Sequence, residues 1–281
     1  MTTACHAAVP TASTLPSILG LLVVLAWPAG ALLAAEPAAD EAVPGLQIKP
    51  VLLDGKTSGT TLGLDYKYER RWNWASANAD TVADGIVELR GEGTVAASAA
   101  RNPNKLLDLA VNLRYQYLGE GWLAGAGASL KAETDQRFDD RQLVWAAQVQ
   151  AWRLNPLGAK GWGVVYLNLG RVQPGADATR KAALAADPGG YRRWDLEAIY
   201  HHDLKGRIGG LPLRSLEFQY RHFQELSPKA AIKAAGLDRH RLGTVRLNLG
   251  DDKFIAYSRG RLPFDKQSDR AVKIGVEYKF Q

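Results

Sequence analysis

Crosslinking and metal-binding chemistry have almost nothing to work with in this chain. Cysteine occurs once, at Cys5. Beyond that residue there is no disulfide to form and no thiol for metal or redox chemistry. Lys and Arg are missing from residues 1–48. After Ala35 no apolar run approaches the roughly 20 residues that a membrane-spanning helix needs, so any insertion of the remaining chain must be by closed sheet. A single-sign charge bias is also absent. The net charge of +6 comes from 35 basic and 29 acidic residues spread along the chain, whereas a nucleic-acid binder would gather its cations into a patch or stripe.

The amino terminus is the one long apolar segment. Leu15 to Trp27 is hydrophobic, Pro28 interrupts it, and Ala29-Gly30-Ala31 supplies a small-x-small cleavage pattern. A second cut is available after Ala34 or Ala35. Residues 1–35 are therefore expected to be a secretory signal peptide, with 36–45 an acidic leader and 46–281 one domain. The competing reading is a retained helix over Leu15 to Ala35; Pro28, Gly30 and the lack of a basic flank weigh against it.

What fills residues 46–281 is period-two alternation, which in a strand puts one residue class on each face. Leu62, Leu64, Tyr66, Tyr68, Trp72 and Trp74 share a face that only Arg70 interrupts, opposite Asp65, Lys67, Glu69 and Arg71. Leu107 to Tyr117, Trp122 to Glu133 and Leu143 to Ala151 repeat the pattern. So do the segments around Val165, Trp194, Phe218, Val245 and Phe254. Leu46 to Leu53 is the weakest segment because Pro50 interrupts it. The total is about 12 strands of a length suited to crossing a bilayer. A slightly negative mean hydropathy fits, because only alternate residues of such strands face lipid.

The last segment is the clearest. Val272, Ile274, Val276, Tyr278 and Phe280 alternate with Lys273, Gly275, Glu277 and Lys279. With its closing Tyr-x-Phe it resembles the C-terminal strand of bacterial outer-membrane β-barrel proteins, except that Gln281 follows the Phe. The resemblance extends to this strand and to the repeated amphipathic hairpins, and no subfamily is identified. It implies an all-β, antiparallel, up-and-down transmembrane barrel in the outer membrane. It also implies recognition by the barrel-assembly machinery through Val272, Ile274, Val276, Tyr278 and Phe280. With the carboxyl end in the periplasm, the short links fall on the periplasmic side and the longest, 173–190 and 226–238, fall outside. Arg180 to Ala186 is expected to make a helical turn, and Leu226 to Leu237 to be a surface loop. Trp72, Trp74, Trp122, Trp152 and Trp162 land near the periplasmic rim as an aromatic girdle; Trp162 has the wrong parity unless a bulge intervenes.

The charged face then becomes the lumen lining. The expected anions are Asp65, Glu69, Glu88, Glu92, Asp108, Glu133, Asp195, Glu197, Glu217 and Glu277. The cations are Lys67, Arg90, Arg114, Lys131, Arg193, Arg221, Arg246 and Lys273. Such a balance argues against strong ion selection and for a cross-strand salt-bridge lattice, with or without a narrow watery path inside it. The expected function is porin-like passage of small polar solutes. The alternatives are a structural or surface-interaction barrel and, behind it, a hydrolase. No enzyme, cofactor or metal is expected. His201 and His202 are adjacent and point to opposite faces, and no histidine is followed by Ser in the His-x-Ser spacing of outer-membrane phospholipases and lipid A deacylases. Asp139-Asp140 and His202-Asp203, which a protease would combine, fall at opposite ends. The expected partners are outer-membrane lipid and lipopolysaccharide, the latter through Arg101, Arg137, Arg141, Arg180, Lys181, Lys229, Lys233 and Arg239, and no nucleic acid.

Overall fold

A computed structural model describes residues 45–55, 59–75, 83–97, 107–119, 121–155, 160–250, 252–265 and 268–280. The signal-peptide segment 1–35 and nearly all of the leader lie outside the described residues, as do Arg101 and the side chains of Trp74, Tyr278, Lys279 and Phe280.

In chain order the strands are β1 (Leu46–Gly55), β2 (Gly59–Ala75), β3 (Ala83–Ala96), β4 (Leu107–Gly119), β5 (Trp122–Thr134), β6 (Arg141–Leu154) and β7 (Gly161–Ala176). Then follow helix α1 (Ala178–Leu184), β8 (Tyr191–Asp203), the two-residue β9 (Arg207–Ile208), β10 (Leu211–Leu226) and helix α2 (Ala230–Ala234). The chain closes with β11 (Arg239–Leu249), β12 (Lys253–Arg261), β13 (Asp269–Val276) and β14 (Tyr278–Phe280). Every pairing is antiparallel, and β1 closes the ring by pairing with both β13 and β14. Because β13 and β14 are one strand broken at Glu277, and β9 is a spur on β10, the wall is a closed barrel of 12 strands.

The break at Glu277 has a local cause. Pro50 pairs with Leu64 of β2 but has no N–H to give the strand on its other side. The last strand pairs with β1 at Leu46 to Ile48 and again from Val51 onward, skipping Lys49 and Pro50. Beside the gap the Glu277 carboxylate lies 2.8 Å from Lys49 Nζ on the inner face. Pro50 therefore interrupts a ladder without ending β1.

The apolar stripes face outward. Leu62, Tyr115, Trp145, Leu169 and Ile274 are among the most exposed hydrophobic residues, while Glu88, Arg114, Glu133, Arg193 and Lys273 are buried. This is the polarity of a membrane barrel and the reverse of a soluble one. On the outer face Tyr66 stands opposite Gly93 in the ladder, and a side chain at Gly93 would collide with that ring. The ring thus covers backbone that glycine leaves bare. One part of the interior is apolar: Val51 and Leu53 of β1, Ala96 of β3, and Phe254 and Ala256 of β12 form a buried cluster inside the wall.

The start of β1 and the end of β14 lie together at one end of the barrel. The connections there are short among the described residues, whereas the opposite end carries α1 and α2 in the connections 177–190 and 227–238. Strand β7 runs to Ala176, so the first of these begins later than the sequence alone indicates. The helical turn expected near Arg180 is α1, capped by Asp177, whose carboxylate accepts from the Arg180 amide at 2.8 Å. Within the expected surface loop 226–237, α2 buries Ile232 completely.

Candidate functional site

Because neighbouring residues in a strand point to opposite faces, the outward apolar stripe forces the charged stripe into the lumen. All 18 expected lumen residues lie on the inner face, each buried or half-buried. Sixteen of them take part in ion pairs with other charged side chains. The other two, Asp108 and Glu217, line cavities within the barrel.

The pairing reaches well beyond adjacent strands. Arg193 of β8 binds Glu133 of β5 at 2.9 Å and its own neighbour Asp195 at 2.6 Å. Gln142 donates to Glu133 at 2.6 Å, and Tyr191 donates to Gln142 at 3.2 Å. Nearer the termini, Lys273 of β13 donates to Asp65 of β2 at 2.7 Å, and Thr94 of β3 donates to the same carboxylate at 2.6 Å. Glu277 is held by Lys49 at 2.8 Å and by Arg246 at 2.9 Å. Arg114 pairs with Glu88, and Glu69 with both Lys67 and Arg71.

One pair spans the lumen. Arg221 of β10 and Glu92 of β3 make a direct ion pair, although six steps around a 12-strand ring separate their strands. Strands six apart in such a ring are diametrically opposed, so this contact is a waist. Arg221 also binds Glu197 of β8 at 2.8 Å, Gln219 donates to Glu197 at 2.6 Å, and Arg90 reaches Glu92 at 3.1 Å.

The cavities follow from this waist. At the termini end a vestibule of about 680 Å³ is lined by Lys49, Lys67, Arg214, Glu217, Arg246 and Trp162, among others. Deeper in, two voids of about 50 and 80 Å³ adjoin Arg221. Both are large enough to hold water. At the far end the connections fold inward. Arg180 of α1 binds Glu225 of β10 at 2.8 Å and stacks over Tyr191 at 4.0 Å. Leu262 and Phe264 pack on Phe223 and Leu242, and α1 lies against α2. Burial pushes the Asp177 carboxyl up to about 6, against the amide of Arg180 that favours its ionised form.

Two tryptophans are not where the girdle expectation put them. Ladder register places Trp152 opposite Leu123 and Val164 and on the same face as Gln148 and Gln150, which is the interior. Trp162 is also inward. The β7–β8 register runs from Gly161 to Val172 without a bulge, and Trp162 stacks on His201 with ring centroids 5.2 Å apart. Both sit near the rim, but the ladder turns their side chains into the lumen. Trp72 and Trp122 do face outward. His202 points outward towards Tyr200, and Asp139 and Asp140 lie at the other end from His202-Asp203. Among the described residues no three His, Cys, Asp or Glu side chains converge as a metal site would require. Of the cations expected to meet lipopolysaccharide, Arg180 is buried in its ion pair with Glu225, and Lys181 pairs with Asp187 at 2.6 Å.

Closed antiparallel wall, apolar outside and charged lumen together define a transmembrane β-barrel of the outer-membrane type. No family model matches the chain, and no curated protein is similar to it. Among solved structures it resembles the NanC porin at 12% identity, covering 83% of this chain and 99% of that one with a TM-score of 0.48. It also resembles a BenF-like porin from Pseudomonas fluorescens Pf-5 at 12% identity, covering 85% and 65% with a TM-score of 0.34. The β domain of the Bordetella autotransporter BrkA matches at 11% identity, covering 84% and 99% with a TM-score of 0.32. These likenesses describe architecture; what the interior does must come from the interior itself.

Proposed function

We propose that this barrel is a narrow passive conduit for small polar solutes, constricted at the Arg221–Glu92–Glu197 waist. The observation that carries this reading is the inner face. It is charged from the vestibule to the waist, and the small voids beside Arg221 are polar enough to hold water. Cations and anions in nearly equal number give weak selection by charge, so size would decide what passes. Reconstituted in a planar bilayer, the folded protein should give small, low-selectivity conductance steps. Arg221→Ser combined with Glu92→Gln removes both partners of the cross-lumen pair and should enlarge those steps several-fold. If the native protein and the widened variant are both silent while correctly folded, the conduit is rejected.

A second reading draws on the covered mouth. With Ile232 and Leu262 buried there and the waist bridged, the barrel could anchor its loops at the surface without conducting. Silence in both proteins would select it. A hydrolase finds less support, because the acidic and histidine groups it would combine lie at opposite ends of the barrel.

A further inference from the structure

On the outer surface, at the end away from the termini, the ladder sets arginines directly beside one another. Arg171 of β7 is opposite Arg192 of β8. Arg241 of β11 is opposite Arg261 of β12, and Arg259 of β12 is opposite Arg270 of β13. All six lie on the outward faces of their strands, and all but the half-buried Arg261 are exposed. Between them His222 of β10, beside Arg241 in the ladder, stacks on Trp194 at 4.7 Å. The six therefore form one arc covering the half of the wall from β7 to β13. In this part of the wall the outward positions carry no Asp or Glu. Arg261 donates to the Gly236 and Arg239 carbonyls. For the other five, no ion pair with a carboxylate is present among the described residues.

Like charges directly opposite one another on a sheet are destabilising, and here this occurs three times within one arc. Two of the pairs sit at the edge of the apolar band: Leu169 is next to Arg171 on the same face, Tyr257 next to Arg259 and Val272 next to Arg270, all three exposed, while Arg241 and Arg261 lie one same-face step further out, beyond Gly243 and Arg259. In a membrane, that edge is where lipid headgroups lie. Guanidinium pairs offer phosphate two parallel donors, a geometry an ammonium cannot match. The opposite half of the wall, β1 to β5, has no outward Lys or Arg at this end among the described residues.

From this juxtaposition we infer that the β7–β13 arc binds the phosphate groups of an outer-leaflet glycolipid, one carrying two phosphates on a sugar headgroup. The residues differ from the loop cations considered from sequence: they belong to the wall, at headgroup depth, and are already paired by the ladder. The inference holds whether or not the lumen conducts. It rests on the orientation expected from the sequence, with the termini on the inner side.

The test uses the full-length folded protein in detergent micelles, with purified bisphosphorylated lipid A as probe and its enzymatically dephosphorylated form as comparison. Native mass spectrometry counts bound lipid, and heat-modifiable gel migration reports folding. Wild type should retain the bisphosphorylated lipid at least tenfold more strongly than the dephosphorylated one, and this preference should fall as salt rises. Arg259→Gln with Arg270→Gln should lose most of it, as should Arg171→Gln with Arg192→Gln. Arg70→Gln with Arg153→Gln, exposed on the outer face at the other end, should keep it. Equal retention of the two lipids by wild type overturns the proposal even if every variant misfolds. So does a preference that survives both arc variants, one lost equally in the control, or one reproduced by inorganic phosphate alone at equal concentration.

Discussion

Arg193 shows what a single lumen residue contributes. Its guanidinium bridges Glu133 and Asp195 with all three side chains buried. Bringing such charges together offsets their desolvation without leaving much net gain, whereas removing one partner strands the others. Arg193→Met should therefore destabilise the folded barrel by about 3–5 kcal/mol. Arg193→Met with Glu133→Gln and Asp195→Asn should recover most of that loss, as read by urea unfolding in lipid vesicles. Equal destabilisation by the single and triple variants would mean that the network contributes net stability rather than mutual compensation. At this scale the sequence was informative about faces and silent about partners. Alternation set Lys273 and Ile274 on opposite faces, and the resemblance of their strand to the closing strand of outer-membrane barrels turned Ile274 outward. That Lys273 meets Asp65, or Arg221 meets Glu92, depends on which strands closure brings across from each other, and no local pattern carries that.

Among the elements, α1 offers a pH-dependent handle outside the wall. Asp177 caps it, is buried, and titrates near 6. With the folded value above the ordinary carboxylate value, the stabilising contribution is full below about pH 4 and is lost as pH rises through about 6. Asn caps a helix about as well as Asp and does not ionise. Asp177→Asn should match wild type in thermal melting near pH 4 and exceed it above pH 7, by roughly 3 kcal/mol. A constant difference across that range would show that the carboxyl does not titrate in the fold. Elements also mark where sequence reading fell short. Pro50 made β1 look doubtful, yet its missing N–H costs only one ladder interruption, and the pairing resumes on either side of it. Trp152 and Trp162 look like interfacial residues by type and position, but the ladder turns both inward. The connection 227–238 reads as polar surface until Ile232 and Leu237 are seen buried at the barrel mouth.

For the molecule as a whole, the strand number was legible because it rests on a two-residue period repeated around the wall, and the inside-out polarity because the closing strand resembles that of outer-membrane barrels and the long links gather at one end. The narrowness of the lumen was not. A 12-strand ring can enclose an open path, but here Arg221 and Glu92 meet across it, and the far mouth is covered. The conductance of the Arg221→Ser, Glu92→Gln protein reports on that closure. The polarity of the wall is the more basic claim, since both the conduit and the glycolipid arc depend on it. It is tested most directly by single nitroxide labels placed in turn at residues 271 to 276 of a chain carrying Cys5→Ser, reconstituted in bilayers. Oxygen accessibility should alternate with a period of two, high at 272 and 274, where Val and Ile are exposed, and low at 271, 273 and 275. A flat profile, or one with its maxima at 271, 273 and 275, would contradict the account.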